Sequence, residues 1–179
     1  PANYEVGTGA LDVSGLGVGA YTRLFGFVSA FGTAPPDFRA ESLVDFSAAR
    51  SELGLSWGIA GSTSPFTAIS ATGITVDLAP VVLRGSITLG GRLIDVHTLS
   101  TGLALLPATQ GNLLFAIAHR SGASSSARVE NFSAFGDFTT KLSSSLTGST
   151  AVLRLVANGQ FDAVTGAFRA NQLLVVLSD

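Results

Sequence analysis

Two histidines are the only side chains in this sequence that ordinarily titrate near neutral pH, and one of them has a carboxylate close by. His97 follows Asp95 by two residues. In a strand, residues i and i+2 share a face. The pair could therefore act as a base with its orienting carboxylate, or supply two ligands to a metal. Each use needs more partners. A hydrolytic triad needs a nucleophile at the same point, and the sequence lacks the G-x-S-x-G elbow that presents one. Structural or catalytic zinc takes at least three protein ligands, and the chain has no cysteine and only these two histidines. His119, next to Arg120, has no histidine or acid three or four residues away. The expectation for both is a hydrogen-bonded or solvent-facing histidine on a sheet face.

Other patterns are weaker still. Gly15-Leu16-Gly17-Val18-Gly19-Ala20 matches G-x-G-x-x-G/A as text. A dinucleotide site needs a helix to follow, so that pyrophosphate meets a helix N-terminus. Tyr21 to Phe27 reads as strand instead, and the glycines are expected to mark bends. The twelve acids are spread too evenly to single out a glycosidase pair, and no Asp-x-Asp-x-Asp loop for calcium occurs. No catalytic, cofactor-binding or metal-ligating residue is assigned. Asn131-Phe132-Ser133 is a glycosylation tripeptide that carries little weight. The aromatics are twelve Phe, two Tyr and one Trp. Phe25, Phe27 and Phe31 are expected to line one sheet face. Ligand surfaces favour Trp and Tyr, which join a flat face to a polar handle. Trp57 is the candidate ligand contact.

Composition narrows the classes. Charged residues make up 12% of the chain and hydrophobic residues 46%, against about 25% charged in a typical soluble domain. Low charge with ample apolar surface invites association. The ten basic residues, nine of them Arg, are scattered singly, and net charge is -2. A phosphate-tracking stripe is missing, so nucleic acid is not an expected partner. No apolar run approaches the roughly 20 residues of a membrane helix. The sequence has no Met, and a start at Pro1-Ala2-Asn3 suggests a removed signal peptide.

Short apolar runs broken by turn residues are the pattern of an all-β chain. Gly90-Gly91 reads as a tight hairpin between Val81–Leu89 and Arg92–Leu99. Asn158-Gly159 reads as a type I′ turn. It would split Ala151–Ala157 from Gln160–Val164 in a three-strand meander that ends with Ala167–Leu177. Leu113–His119 and Ala127–Phe135 flank a Ser-rich loop at 121–126, and Phe138–Leu146 is expected to follow as another strand. Residues 1–20 are a Gly-rich N-terminal arm with apolar residues at alternating positions. Its Val6, Leu11, Val13, Leu16 and Val18 would be the contacts if it adds a strand to a neighbour. As a flexible lead-in or edge strand, it would make none of them. Residues 21–179 are expected to form a single β domain.

That domain contains a repeat. Gly26-Phe27-Val28-Ser29-Ala30-Phe31, a loop and Phe38-Arg39-Ala40-Glu41-Ser42-Leu43-Val44 match Gly159-Gln160-Phe161-Asp162-Ala163-Val164, a loop and Phe168-Arg169-Ala170-Asn171-Gln172-Leu173-Leu174. The related units span 24–46 and 153–177. Ala40–Leu53 has helix propensity, but Leu43-Val44-Asp45-Phe46 aligns with Leu173-Leu174-Val175-Val176. Strand, turn, strand is therefore expected there. The expected fold is all-β, an antiparallel sandwich or barrel of about 10 to 13 strands built from two related hairpin units.

The Phe-Arg-Ala-x-x-Leu frame after a Gly-led strand resembles repeated OB-like β-barrel domains of unknown function in exported bacterial proteins. The resemblance rests on Gly26–Val44 and Gly159–Leu174, with Phe66-Thr67-Ala68 a faint third echo. It implies an exported, β-rich, non-enzymatic module and assigns no site residues. Composition and resemblance together lead to a first expectation: a structural subunit of a cell-surface or extracellular filament-like assembly, self-associating through apolar surface, with strand donation from the arm as one route. The alternative is a monomeric extracellular binding or adhesion module for carbohydrate, lipid or protein.

Overall fold

The computed structural model describes residues 3–78, 84–99, 102–120 and 127–178. The Ser-rich loop at 121–126, the start of the expected strand at 81–83, and Pro1-Ala2 lie outside the described residues. Among the described residues, thirteen β-strands, one α-helix and a 3-10 turn form two sheets. The chain is all-β. Neither strand order closes on itself, so the described residues form no closed barrel.

Contacts divide the chain into two compact units, Pro1–Ala48 and Ala49–Asp179. The first holds β1 (Val6–Gly7), β2 (Thr22–Val28) and β3 (Phe38–Asp45) in the order β1-β3-β2. The Gly-rich segment between β1 and β2 is not extended. It runs through three turns, closed by Leu11 N–H to Thr8 O, Leu16 N–H to Val13 O and Ala20 N–H to Gly17 O at 2.9–3.0 Å.

The second unit contains β4 (Arg50–Ser56), β5 (Phe66–Ser70), β6 (Gly73–Val76), β7 (Arg84–Leu89) and β8 (Arg92–Asp95). A 3-10 turn, Val96–Thr98, precedes β9 (Leu103–Pro107), β10 (Leu114–Arg120) and β11 (Ala127–Phe132). Helix α1 (Phe135–Ser145) leads to β12 (Val152–Asp162) and β13 (Ala167–Ser178). The sheet order is β5-β6-β9-β13-β12-β4-β7-β8, and β10 pairs both β13 and β11. Most pairs are antiparallel, but β13 runs parallel to β9 and β10, so the sheet is mixed. Phe115, Phe138, Phe161 and Phe168 are fully buried with Leu53, Leu55 and Ile87 in one core.

The repeat is a bulged hairpin made twice. Gly26, Phe27 and Val28 face Ala40, Arg39 and Phe38, and the ladder shifts between Phe25 and Gly26. Gly159, Gln160 and Phe161 face Ala170, Arg169 and Phe168, with the shift between Asn158 and Gly159. The residues skipped, Glu41 and Asn171, are equivalent. Each glycine is needed for close approach: a Cβ at Gly26 would collide with the Arg39 carbonyl oxygen, and one at Gly159 with that of Arg169. The third strand repeats as well. β1 lies parallel to β3 with Val6 beside Phe38, as β9 lies parallel to β13 with Leu105 beside Phe168.

Two sequence expectations are corrected. Asn158-Gly159 is not a turn; β12 runs through it, and the chain reverses at Ala163–Gly166. The expected meander is therefore a single long hairpin. The segment expected as the strand Phe138–Leu146 is helix α1. It buries Phe135, Phe138, Thr139 and Leu142, which share one helical face. Phe115 meets Phe135 edge-on at 5.2 Å and Phe138 at 5.8 Å. The strand-turn-strand reading of Ala40–Leu53 agrees with β3 and β4.

Candidate functional site

Asp95 and His97 do meet, though not as strand neighbours. β8 ends at Asp95, and the chain turns into the 3-10 segment. Asp95 Oδ1 accepts the His97 backbone N–H at 3.0 Å and lies 2.7 Å from His97 Nδ1, while Thr98 Oγ1 donates to the Asp95 carbonyl at 2.7 Å. The His97 backbone N–H, then its ring, hold the Asp95 carboxyl below the usual carboxylate range. Both side chains are largely exposed. Asp95 caps the 3-10 turn through the His97 N–H, and among the described residues no nucleophile is hydrogen-bonded to the His97 ring.

His119 sits in a cluster that residue spacing does not foretell. On the β10–β11 hairpin, Glu130 gathers Arg128 Nη2 at 3.2 Å and His119 Nε2 at 3.9 Å, and Lys141 Nζ of α1 lies 3.3 Å away. Three scattered basic residues thus converge on one carboxylate. The arrangement ties the helix to the hairpin. Among the described residues, no group of three or more histidines and acids could hold a metal ion.

Trp57 is a core residue, which corrects the expectation of a ligand contact. It is 3% exposed, and its ring meets Phe66 edge-on at 6.3 Å. Its indole Nε1 has no hydrogen-bond partner among the described residues. The arm residues divide. Val6 is held in β1 beside Phe38, and Leu11 and Leu16 are half-buried. Val13 is exposed and Val18 almost fully so.

Three surfaces remain. The first is the β2–β3 hairpin. Phe25, Phe27 and Val28 are 52, 67 and 73% exposed, and Phe31 in the loop is fully exposed. No described strand pairs the free edge of β2. The second is a recess of about 450 Å³ between Ile69–Ala71 and α1, lined by the hydroxyls of Ser70, Thr139, Thr140, Ser143 and Ser144. Several of these hydroxyls already donate to backbone carbonyls, Thr139 and Thr140 both to Gly136.

The third surface is the outer face of the second sheet. Register places Arg154 beside Ser56 and Ser56 beside Arg84, a row across β12, β4 and β7. A recess of about 370 Å³ opens there. It adjoins one of about 390 Å³ that shares Arg154 and is lined by Val156, Leu174 and Ala116. Strand alternation is enough to point these side chains outward, but the row exists only through pairings among strands distant in sequence.

The chain matches no protein-family model, no characterised protein and no solved structure.

Proposed function

We propose that the chain is a non-enzymatic structural subunit of an extracellular or cell-surface assembly, and that its copies associate through the first unit. The observation that carries this is the apolar, open-edged β2–β3 hairpin. Phe25, Phe27, Val28 and Val44 are exposed on a sheet of three strands, and Phe31 is exposed in its hairpin loop. An open edge next to exposed apolar side chains is a template for pairing with another chain. The extracellular setting rests on the resemblance to exported β modules carried by the Phe-Arg-Ala frame.

A second copy suits this edge. An antiparallel pair with two-fold symmetry is self-complementary. Centred on Phe25, it sets Arg23 of one copy opposite Phe27 of the other, so no like charges face each other. The second hairpin supplies a precedent within the chain, because β12 receives β4 as an antiparallel neighbour on the equivalent edge. A swap of Val6–Gly7 onto another copy's β3 would reproduce a contact already made within one chain, and would be a form of strand donation.

Sedimentation velocity over a concentration series tests the reading. The wild type is expected to associate, and Phe27→Lys to remain monomeric, because its cation would face Arg23. Leu93→Lys, on the exposed edge strand β8 of the other sheet, should associate like the wild type. A monomeric wild type at high concentration overturns the proposal. So does an effect of Leu93→Lys equal to that of Phe27→Lys.

A further inference from the structure

The outer face of the second sheet carries an inference independent of how copies associate. Its rows come from the strand registers. One row is Arg84, Ser56 and Arg154; the next continues from Gly54 through Val156 and Leu174 to Ala116. Two cations thus flank a serine at the side of an apolar strip. Adjacent strands lie about 4.8 Å apart, so the two arginine Cα atoms are roughly 10 Å apart. That span lets both guanidinium groups reach one anion between them.

Neither arginine has an ion-pair or hydrogen-bond partner among the described residues. Glu52, the acid of β4 on this face, lies four residues from Ser56 along the strand, on the far side of Gly54. Four residues in a strand span about 13 Å. The nearest acid to Arg84 on this face is Asp95, opposite Ser86 of β7 and already held by His97, and no acid occupies a position next to Arg154 on β4 or β13. Guanidinium groups bind a carboxylate or phosphate by charge-assisted, often bidentate hydrogen bonds.

The apolar strip decides the rest of the ligand. β4, β12, β13 and β10 are each paired on both edges, so their backbone groups are already occupied. A peptide laid across the strip would bury its own amides without partners, at a cost of about 1–3 kcal/mol each. An alkyl chain has no such groups to satisfy. The adjoining recesses, about 370 and 390 Å³, both lie within the range of small-molecule sites.

We propose that this face binds a single-chain anionic amphiphile. Its head group sits between Arg84 and Arg154 beside Ser56, and its alkyl chain lies along Val156, Leu174 and Ala116.

The probe is decanoate below its micelle concentration, titrated at neutral pH into the isotopically labelled full chain and followed by NMR. Saturable shifts are expected at the Val156 and Leu174 methyls, at Ala116 and at the two arginine Nε–H groups. Arg84→Gln and Arg154→Gln should each weaken binding about tenfold or more, the loss of one charge-assisted contact. Arg154→Lys should recover part of it. Decanol, which keeps the chain and lacks the charge, should bind at least tenfold more weakly. Both arginines are exposed, so each Gln variant should keep the wild-type near-UV spectrum. If one does not, the other alone carries the comparison. Equal affinities for decanol and decanoate overturn the proposal, as does an Arg84→Gln, Arg154→Gln double variant that binds as the wild type does. So does binding to phosphatidylglycerol vesicles with no response to monomeric decanoate.

Discussion

The two copies of the bulged hairpin share a register and differ in their surroundings. In the second copy, Ala157, Phe161, Phe168, Ala170, Leu173 and Val175 point inward and are at most 2% exposed. In the first, the equivalents are Leu24, Val28, Phe38, Ala40, Leu43 and Asp45. Val28 and Asp45 are exposed, and the other four are only half-buried. Among the described strands, the second hairpin has β9, β10 and β4 alongside, and the first has β1 alone. Local sequence therefore sets the bulge and the pairing, while neighbours from elsewhere in the chain set the burial. The first copy keeps apolar side chains suited to a cover that its own sheet does not provide.

The sharpest way to break this comparison is to substitute the two bulge glycines. Gly159→Ala drives a methyl into the Arg169 carbonyl in the middle of the large sheet. A loss of about 3 kcal/mol or more is expected, read by urea unfolding of the second unit through Trp57 fluorescence. Gly26→Ala makes the same collision with Arg39, yet the Trp57 midpoint should not move. Its damage should appear as faster hydrogen exchange in β2 and β3. If Gly26→Ala shifts the Trp57 transition as far as Gly159→Ala does, the two hairpins are not energetically separate.

The paired phenylalanines test the same contrast through burial. Phe168 is completely buried, and Phe168→Ala should cost about 3–5 kcal/mol. Phe38 holds the same place in the repeat but is half-exposed. Phe38→Ala should cost under about 1 kcal/mol by the stability of the first unit, since little apolar area returns to water. Similar losses at both sites would mean that the first hairpin is as well covered as the second.

The repeat was legible because glycine and Phe-Arg-Ala spacings encode backbone approach and pairing, which are local. The same locality explains the misreadings. Asn-Gly suits a type I′ turn, but Gly159 does not adopt positive φ; its missing Cβ serves the bulge instead. Helix α1 carries its apolar residues at helical spacing, but Thr139, Thr140 and the serines lower its propensity, and Ala134 offers no side-chain cap. Trp57 reads as a surface aromatic only if its strand end is uncovered, and Phe66 covers it. The Asp95–His97 pairing was visible in spacing, although a turn rather than a strand delivers it. The Arg84–Ser56–Arg154 row was hidden, because no rule of spacing links residues 56, 84 and 154.

The smallest expected difference lies at the hairpin loops. Asp162 in the second copy aligns with Ser29 in the first. The Asp162 carboxylate accepts the Thr165 hydroxyl at 2.7 Å and the backbone N–H groups of Val164 and Thr165 at 2.9 and 3.3 Å. These contacts, the Thr165 hydroxyl foremost, hold its carboxyl below the usual range, and Arg169 adds to them. Ser29 donates its hydroxyl to the Pro36 carbonyl and has no charge to lose. A carboxyl whose pKa is lowered by folding binds protons more readily in the unfolded chain, so stability rises with pH where the two states differ. The Asp162 contribution is complete above the unfolded value of about 3.9 and disappears as pH falls through the lower folded value. The urea midpoint read by Trp57 should therefore drop on acidification below about pH 4. Asp162→Asn should flatten part of that drop, leaving the part due to Asp95, whose carboxyl is also lowered. Ser29→Ala should leave the slope unchanged. An undiminished slope in Asp162→Asn would mean that the loop carboxylate contributes nothing, and that strand pairing alone holds the second hairpin closed.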